Sequence, residues 1–129
     1  MPNPEKEAII EEVKEKINSA KLAILTDFQG LSVAEMTELR KLLRNANIDY
    51  KVYKNTLTRL AAEQLGINEL EKYLVGPTAI AFGKSDDLIT PAKIIKDFST
   101  KHQHLNIKAG ILSKKVISPE DVASLTNIP

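Results

Sequence analysis

Apolar positions along the chain repeat with two spacings, one typical of helices and one typical of strands, and the two alternate from end to end. Asn3 followed by Pro4 is suited to cap a first helix, with acidic residues in its first turn. The residues that then fall on one helical stripe are Ile9, Ile10, Val13 and Ile17. The apolar run at 22–25 predicts a buried strand, which ends before the sequence DFQG at 27–30.

The clearest helix boundary lies at 32–35. There Ser32 and Glu35 have the spacing of a capping box, in which the serine hydroxyl and the glutamate carboxylate each accept from the other residue's backbone amide. The helix is expected to end near Asn47, since asparagine tolerates the left-handed conformation. Its predicted buried stripe consists of Met36, Leu39, Leu42, Leu43 and Ala46. The residues left mainly outward are Arg40, Lys41 and Arg44.

Residues 48–53 alternate between apolar and polar, which predicts a half-buried strand with Ile48, Tyr50 and Val52 on one face. Tyr53 then lies on the opposite face from Tyr50, so at most one of these two rings is expected to stack on a base. Asn55 is predicted to cap the next helix, which ends at a glycine at position 66 and is followed by a short helix from position 68.

The second half of the chain repeats this alternation. A strand is predicted at 78–82 after Gly76 and Pro77, a helix from Thr90, and another helix from Ser118. A further strand is predicted from the alternation of Leu105, Ile107, Ala109 and Ile111. Strands separated by helices indicate the α/β class. We therefore expect a single α+β domain over residues 1–129, with two layers and about four strands in a mixed sheet of unassigned strand order, ferredoxin-like in general character.

The composition narrows the class of protein. A chain of 129 residues is long enough for one domain with its own core. The absence of cysteine excludes disulfides, thiolate chemistry and Cys-ligated zinc. No apolar run approaches the ~18 residues of a membrane span, and the N-terminus is too acidic for a signal peptide. We expect a cytoplasmic protein without a membrane partner.

The formal net charge of +1 conceals an uneven distribution. Residues 1–20 and 61–100 each carry a net charge of −2, whereas 21–60 carry +3 and 101–129 carry +2. Within 40–59, six basic residues stand against the single acid Asp49, a local charge of +5. Such a block predicts a surface for a polyanion, and a merely solvated helix face is the alternative.

Three features resemble a nucleotide-binding loop, a metal site or an acid–base pair, but each lacks part of the pattern that such a site requires. The stretch 76–85 ends in Gly-Lys-Ser, but six strand-like residues separate its glycines where a Walker A loop has four. His102 and His104 lie two residues apart without a third ligand nearby, which favours an exposed loop pair over a metal site. The adjacent aspartates at 86–87 favour a turn that leads into a helix over an acid–base pair. We predict no catalytic residue, no metal and no cofactor.

The segment YKVYKNTLTR at 50–59 combines several features suited to binding phosphate. A strand is expected to deliver Lys54 to the start of a helix, where the first backbone amides lack internal acceptors and the helix dipole is positive. Asn55 and Thr56 add side-chain hydrogen-bonding groups, and Arg59 follows about one turn later. The alternative is an ordinary asparagine cap beside an incidental lysine.

Four stretches of the sequence, taken in order, carry a resemblance to a known family. They are DFQGLSVAEMTELR at 27–40, YKV with KNTL at 50–57, GPTAIAF at 76–82, and KDF at 96–98 with IKAGIL at 107–112. In these stretches the chain resembles the family of large-subunit ribosomal protein ten, the stalk-base protein, in its bacterial form. The likeness extends over nearly the whole chain, and the ordered blocks make it specific.

The resemblance implies a non-enzymatic, RNA-binding constituent of the large ribosomal subunit. It implies that an N-terminal α/β domain binds large-subunit rRNA at the base of the lateral stalk, beside ribosomal protein eleven. In the family, a C-terminal helix carries dimers of the acidic stalk protein, which recruit translational GTPases. A family member can also repress its own operon by binding an mRNA leader that mimics the rRNA site.

The chain departs from the family pattern in two respects. The family often has a basic residue where Gln29 stands, which argues against an rRNA salt bridge from that loop. The sequence ends at Pro129, about where the family continues into its long C-terminal helix. We therefore expect an N-terminal rRNA-binding domain alone, without the region that binds stalk dimers.

The residues expected to bind RNA fall into three groups. Phosphate contacts are expected from Lys54, Asn55, Thr56 and Arg59. Flanking positive charge is expected from Arg40, Lys41, Arg44 and Lys51. Close approach of RNA to the backbone is expected at Gly30, Gly76 and Pro77, for which simple turn chemistry is the alternative.

Other functions remain open at this point. A ribosome-assembly homologue would occupy the same rRNA site transiently. A small nucleotide-binding enzyme would use Gly83, Lys84 and Ser85. A protein-interaction module would use the acidic first helix.

Overall fold

A computed structural model describes residues 3–127, and Pro129, where the expected domain ends, lies outside them. In chain order the elements are α1 (Pro4–Ser19), β1 (Leu22–Asp27), α2 (Val33–Asn45), β2 (Ile48–Val52), α3 (Asn55–Gln64), a 3₁₀ helix (Asn68–Tyr73), β3 (Ala79–Gly83), α4 (Ile89–Lys101), β4 (Asn106–Leu112), β5 (Lys115–Ile117), α5 (Pro119–Ser124) and a 3₁₀ turn (Leu125–Asn127). Across this described part, every helix is too short or too polar to traverse a bilayer.

The five strands form one sheet in the order β2-β3-β1-β4-β5, and each neighbouring pair is antiparallel. This confirms the α/β class and corrects the expectation of a mixed sheet. β1 and β2, which α2 joins, run parallel, as do β3 and β4, which α4 joins, but another strand lies between the members of each pair. This split β-α-β arrangement is the ferredoxin-like feature of the fold. The unpredicted fifth strand, β5, has only three residues, too few for a periodic signal.

Helices cover both faces of the sheet, so the domain has three layers and not the two expected. α1, α3 and the 3₁₀ helix at Asn68–Tyr73 pack on one face, around Leu25, Ile80 and Phe82. α2, α4 and α5 pack on the other face, around Leu22 and Ile24. A continuous apolar run such as 22–25 is typical of a strand that is buried on both sides.

Three residues that the apolar pattern placed in the core are exposed in the structure. Val52 is 45% exposed, although the alternation places it on the buried face of its strand, whereas Tyr53 is only 8% exposed on the other face. Tyr50 and Tyr53 do lie in the cores on opposite faces, and both are too buried to be free platforms for a base. Ile9 and Leu42 lie at the margins of their helical stripes and stay 36% and 43% exposed.

Four of the local signals at helix ends are confirmed. The Asn3 side chain accepts from the Lys6 amide at the start of α1, and Ser32 and Glu35 form the expected capping box at the start of α2. Ser118 caps α5. Asn47 has a φ of +62° where the chain turns from α2 into β2.

A β-bulge divides β4 and changes which face its residues occupy. Leu25 pairs with Ala109 while Thr26 pairs with Ile107, so Lys108 is an extra residue in the ladder. The predicted alternation therefore does not stay on one face: Ile107 packs in the core under α2 and α4, and Ile111 packs in the core under α1 and α3.

A polar network joins α1 to β2 and to Tyr53, the residue that follows this strand. The Glu12 Oε2 atom accepts from the Tyr53 hydroxyl at 2.5 Å and from Lys51 Nζ at 3.2 Å, and Lys16 pairs with Asp49. These hydrogen bonds, that from Tyr53 foremost, lower the pKa of Glu12. Burial, together with the carboxylate beside it, raises the pKa of Tyr53.

Gly110→Ala should destabilise the fold by about 1–3 kcal/mol, because the added Cβ overpacks the core. It would lie 2.7 Å from Val122 Cγ2 and 3.0 Å from Ile117 Cγ1. The double variant with Val122→Ala should lose less stability than the sum of the two single variants, since Val122→Ala removes the closest clashing atom. Urea unfolding of the four proteins checks this, and strict additivity would contradict the packing described.

Glu12→Gln should reduce stability at neutral pH by a fraction of a kcal/mol, since the half-exposed carboxylate is screened by solvent. The folded-state pKa of Glu12 lies below its ordinary 4.5, so the contribution is present above about pH 4.5 and is lost as the pH falls through the lowered value. The difference in unfolding free energy between wild type and variant should therefore shrink in acid. Glu15→Gln removes an exposed carboxylate from the same helix and is the matched control.

Candidate nucleic-acid interface

Several loops and helix ends converge at one end of the sheet. β1 and β2 both end beside the start of β3, since Thr26 and Val52 pair with Ala79. β4 begins at the same end, where Asn106 pairs with Asp27. The segments brought together are the turn at 27–30, the start of α3 at 54–56, the loop at 75–78 and the first residues of β4.

A groove of about 300 Å³ lies among these segments. Phe28, Val52, Tyr53 and Pro77 form its apolar walls, and of the residues that line it Lys54 alone is charged. The predicted residues Lys54, Asn55, Gly76 and Pro77 therefore meet at one place, although up to 23 positions separate them in sequence. We call Lys54, Asn55, Thr56, Gly76 and Pro77 the Lys54 surface.

The N-cap of α3 is Lys54 and not Asn55, which corrects the sequence-based assignment. Lys54 has extended backbone angles, φ −65° and ψ 135°, and Asn55 is already helical. The Asn55 side chain instead donates from Nδ2 to the Gly76 carbonyl at 2.7 Å, and its buried Oδ1 has no donor within the described residues. Asn55 therefore ties the helix start to the loop before β3.

No side chain caps α3, so the amides of Asn55 and Thr56 keep their capacity to donate, whereas those of Leu57 and Thr58 donate to the Lys54 carbonyl at 3.1 Å. The other four α-helices between residues 3 and 127 differ in this respect: Asn3, Ser32, Asp87 and Ser118 each accept from a first-turn amide. Lys54 is exposed and has no carboxylate within ion-pair distance in the described part of the chain. A free cation beside uncapped amides suits an anion.

Lys108 is a functional candidate that the sequence-based prediction of the site missed. The bulge in β4 directs its ammonium to the loop at 75–78, where it donates to Val75 O at 2.5 Å, Thr78 Oγ1 at 2.7 Å and Gly76 O at 3.3 Å. Burial lowers the pKa of Lys108. The signal in the sequence is a change at alternate positions of the predicted strand, from the polar Asn106 and Lys108 to Gly110 and Leu112.

Two other predicted cations are already engaged within the protein. Arg59 Nη1 lies 3.9 Å from Glu71 Oε1, and Lys51 belongs to the network with Glu12. Thr56 is exposed in the first turn of α3. Roles in RNA binding for these residues stay predictions, with the charge of Arg59 and of Lys51 partly balanced.

The basic residues of α2 form a separate surface. Arg40 and Arg44 line a second groove of about 300 Å³ with Tyr50, and Lys41 is exposed nearby on the same helix. α2 and α3 cover opposite faces of the sheet. The block of positive charge at 40–59 is therefore not one continuous face, as its position in the sequence suggested.

The glycines predicted to admit RNA have clear structural roles. Gly30 has a φ of +98°, and a Cβ there would lie 2.6 Å from His104 Nδ1. Gly76 has a φ of +74°, and a Cβ at that position would meet no other atom within 4 Å. Turn chemistry therefore accounts for both glycines, and RNA contact at Gly30, Gly76 and Pro77 stays a prediction.

The Gly-Lys-Ser stretch and His102, for which the sequence analysis predicted no chemistry, occupy structural positions. Gly83 is the last residue of β3, so Lys84 and Ser85 follow a strand and not a phosphate-binding loop. His102, expected in an exposed pair, is half-buried: its Nδ1 lies 2.5 Å from Glu35 Oε2 and its ring stacks on Phe98.

The chain was compared with known protein families and with individual proteins. A family model described as "Ribosomal protein L10" matches residues 1–100. The "Large ribosomal subunit protein uL10" of Natranaerobius thermophilus is 50% identical over 125 residues, which cover 97% of this chain and 70% of that protein. The protein of the same name from Bacillus licheniformis is 47% identical over 124 residues, covering 96% of this chain and 74% of that protein. The chain therefore belongs to the ribosomal protein L10 family, whose members are structural proteins of the large ribosomal subunit and not enzymes.

Proposed function

We propose that this protein binds large-subunit rRNA at the base of the lateral stalk and does so through the Lys54 surface. The observation that carries the proposal is the pairing of an ammonium, which has no carboxylate within ion-pair distance among residues 3–127, with the uncapped start of a ten-residue helix. Phosphate is the ligand that suits this combination, because it accepts several hydrogen bonds and is negatively charged. Family membership supports rRNA as its source.

The proposed interaction is with folded RNA, which proteins recognise mainly through its shape and its phosphates. Asn55 and Lys108 hold the loop at Gly76 in place, so the Lys54 surface is preorganised when RNA arrives. Arg59 is expected to contribute less than Lys54, since Glu71 competes for its guanidinium. Arg40, Lys41 and Arg44 would reach a second part of the RNA from α2.

Family membership supports a proposal for further partners. Ribosomal protein eleven would lie beside this domain on the rRNA, in the cytoplasmic ribosome. An mRNA leader that mimics the rRNA site would occupy the same surface and so repress the operon. Dimers of the acidic stalk protein would bind outside residues 1–129.

Lys54→Ala should weaken binding to a stalk-base rRNA fragment and flatten the log–log salt dependence by about one unit, because one phosphate contact is lost. The side chain makes no capping hydrogen bond, so the fold should be unaffected. Arg59→Ala should cause a smaller change. Gel shifts at several salt concentrations measure both slopes.

Lys84→Ala is the matched control, since it removes one exposed charge beyond the opposite end of the sheet, where Gly83 pairs with Leu22. Its affinity and slope should equal those of wild type. If Lys54→Ala also retained the wild-type affinity and slope, the Lys54 surface would not be the phosphate site.

A pull-down with acidic stalk-protein dimers should recover none of the 129-residue chain, while the same preparation binds the rRNA fragment. Capture of stalk dimers by this chain would place their binding site within residues 1–129 and refute the proposed division between the two regions.

A further inference from the structure

The groove beside Lys54 has apolar walls that phosphate binding does not explain. Val52 is 45% exposed and Val75, in the adjoining loop, is 74% exposed, while Pro77 is exposed as well. Phe28 is half-buried and lines the same groove. Apolar side chains gathered in a concave surface commonly mark a place where another molecule is bound.

The charges around the groove favour a ligand with an apolar body and an anionic end. Lys54 is the only charged residue that lines the groove, and the Lys108 ammonium lies behind the loop at Gly76. The uncapped start of α3 adds the positive end of a helix dipole. A nucleotide has this character, since its base has apolar π-faces and its phosphate is negative.

We propose that the groove takes one unpaired, extruded nucleobase of the RNA, which stacks on Phe28 while its phosphate lies on Lys54. This inference rests on the proposed function and adds to it the part of the RNA that is read. A volume of about 300 Å³ is at the small end for ligand pockets, which suits a single base and not a run of stacked bases. Unpaired bases that stack on aromatic side chains are a common basis of RNA recognition.

Phe28 is held in position before any base arrives. The Leu31 amide donates to the Phe28 carbonyl at 3.0 Å, and the Gln29 amide donates to Asp27 Oδ1 at 2.8 Å. The left-handed glycine at position 30 completes this turn. Part of the Phe28 ring also packs on the core beneath α2 and α4. A fixed aromatic wall lowers the entropic cost of ordering a base against it.

The other wall of the groove is equally fixed. Three side chains converge on the Gly76 carbonyl: Asn55 Nδ2 at 2.7 Å, Thr78 Oγ1 at 3.2 Å and Lys108 Nζ at 3.3 Å. Pro77 follows directly and has no backbone N–H to satisfy. The loop therefore presents an apolar ring to the groove from a backbone that is anchored on α3, β3 and β4.

The test measures RNA binding when Phe28 is replaced, when a single base is removed from the RNA, and when both changes are combined. Each unpaired nucleotide of the stalk-base rRNA fragment is replaced in turn by an abasic ribose, which keeps the phosphate. With the wild-type chain, one abasic position should weaken binding about tenfold, an effect within the range of base–aromatic stacking. Phe28→Leu should weaken binding to the intact RNA by a similar factor and should show almost no further loss with that abasic RNA.

Two controls separate stacking from folding and from charge. Phe28→Tyr keeps the aromatic ring and should behave as wild type, and thermal unfolding reports whether Phe28→Leu still folds. The salt dependence should be the same for wild type, Phe28→Leu and Phe28→Tyr, because no phosphate contact changes. Lys54→Ala, by contrast, should flatten it.

The outcomes distinguish this inference from the proposed function. If no abasic position weakens binding, or if Phe28→Leu and the abasic RNA act independently, the groove does not hold a base, whereas a flattened slope in Lys54→Ala would still support phosphate binding. If Phe28→Leu leaves RNA binding intact but weakens association with ribosomal protein eleven, the groove takes a protein side chain and the inference is overturned. If wild type binds no rRNA, both fail.

Discussion

Burial of β1 on both faces is the constraint on which the rest of the structure depends. Its residues from Leu22 to Thr26 are all buried, so one strand passes through both cores of the domain. Helices must then cover each side of the sheet, and neither face is left for a polar ligand. Chemistry is confined to the helix surfaces and to the ends of the sheet, where strands give way to loops. The Lys54 surface lies at such an end because the antiparallel order gathers four chain segments there.

The β-bulge at Lys108 determines how the loops at this end of the sheet are held. Without the bulge, Lys108 would stay in register with β1, and the loop at 75–78 would lose its central donor. An ammonium that leaves water needs oxygen atoms in return, and Val75, Gly76 and Thr78 supply three, which matches its three N–H donors. The cation therefore organises the loop.

The features that the sequence predicted correctly are those whose causes lie close together along the chain. The capping box at Ser32 and Glu35 spans four residues, and the turn at Asn47 needs only one residue in the left-handed region. Helices and strands followed from periodicity in the same way. The sequence also places the cluster at 54–56 correctly at a helix start and indicates a loop at Gly76, but nothing local shows that the two touch.

The features that the sequence did not predict have distant causes. Asn55 has the local pattern of a cap for its own helix, yet its amide finds a carbonyl 21 residues away, and that partner exists only once β2 and β3 have paired. The bulge depends on the register between β1 and β4. The third layer depends on which side of the sheet each helix returns to, a choice that apolar periodicity does not encode. Tertiary pairing decided all three.

The distribution of charge over the folded surface changes what electrostatics can contribute to binding. The basic residues of α2 and those at α3 lie on opposite faces of the sheet, and Lys51 in β2 and Arg59 in α3 already have acidic neighbours. Few unpaired cations remain at the Lys54 surface. Counterion release grows with the number of phosphates neutralised, so this surface alone provides a limited and non-selective attraction. If the Lys54 surface binds RNA as proposed, its selectivity has to come from shape and from contacts to bases, and the apolar walls beside Lys54 are suited to supply them.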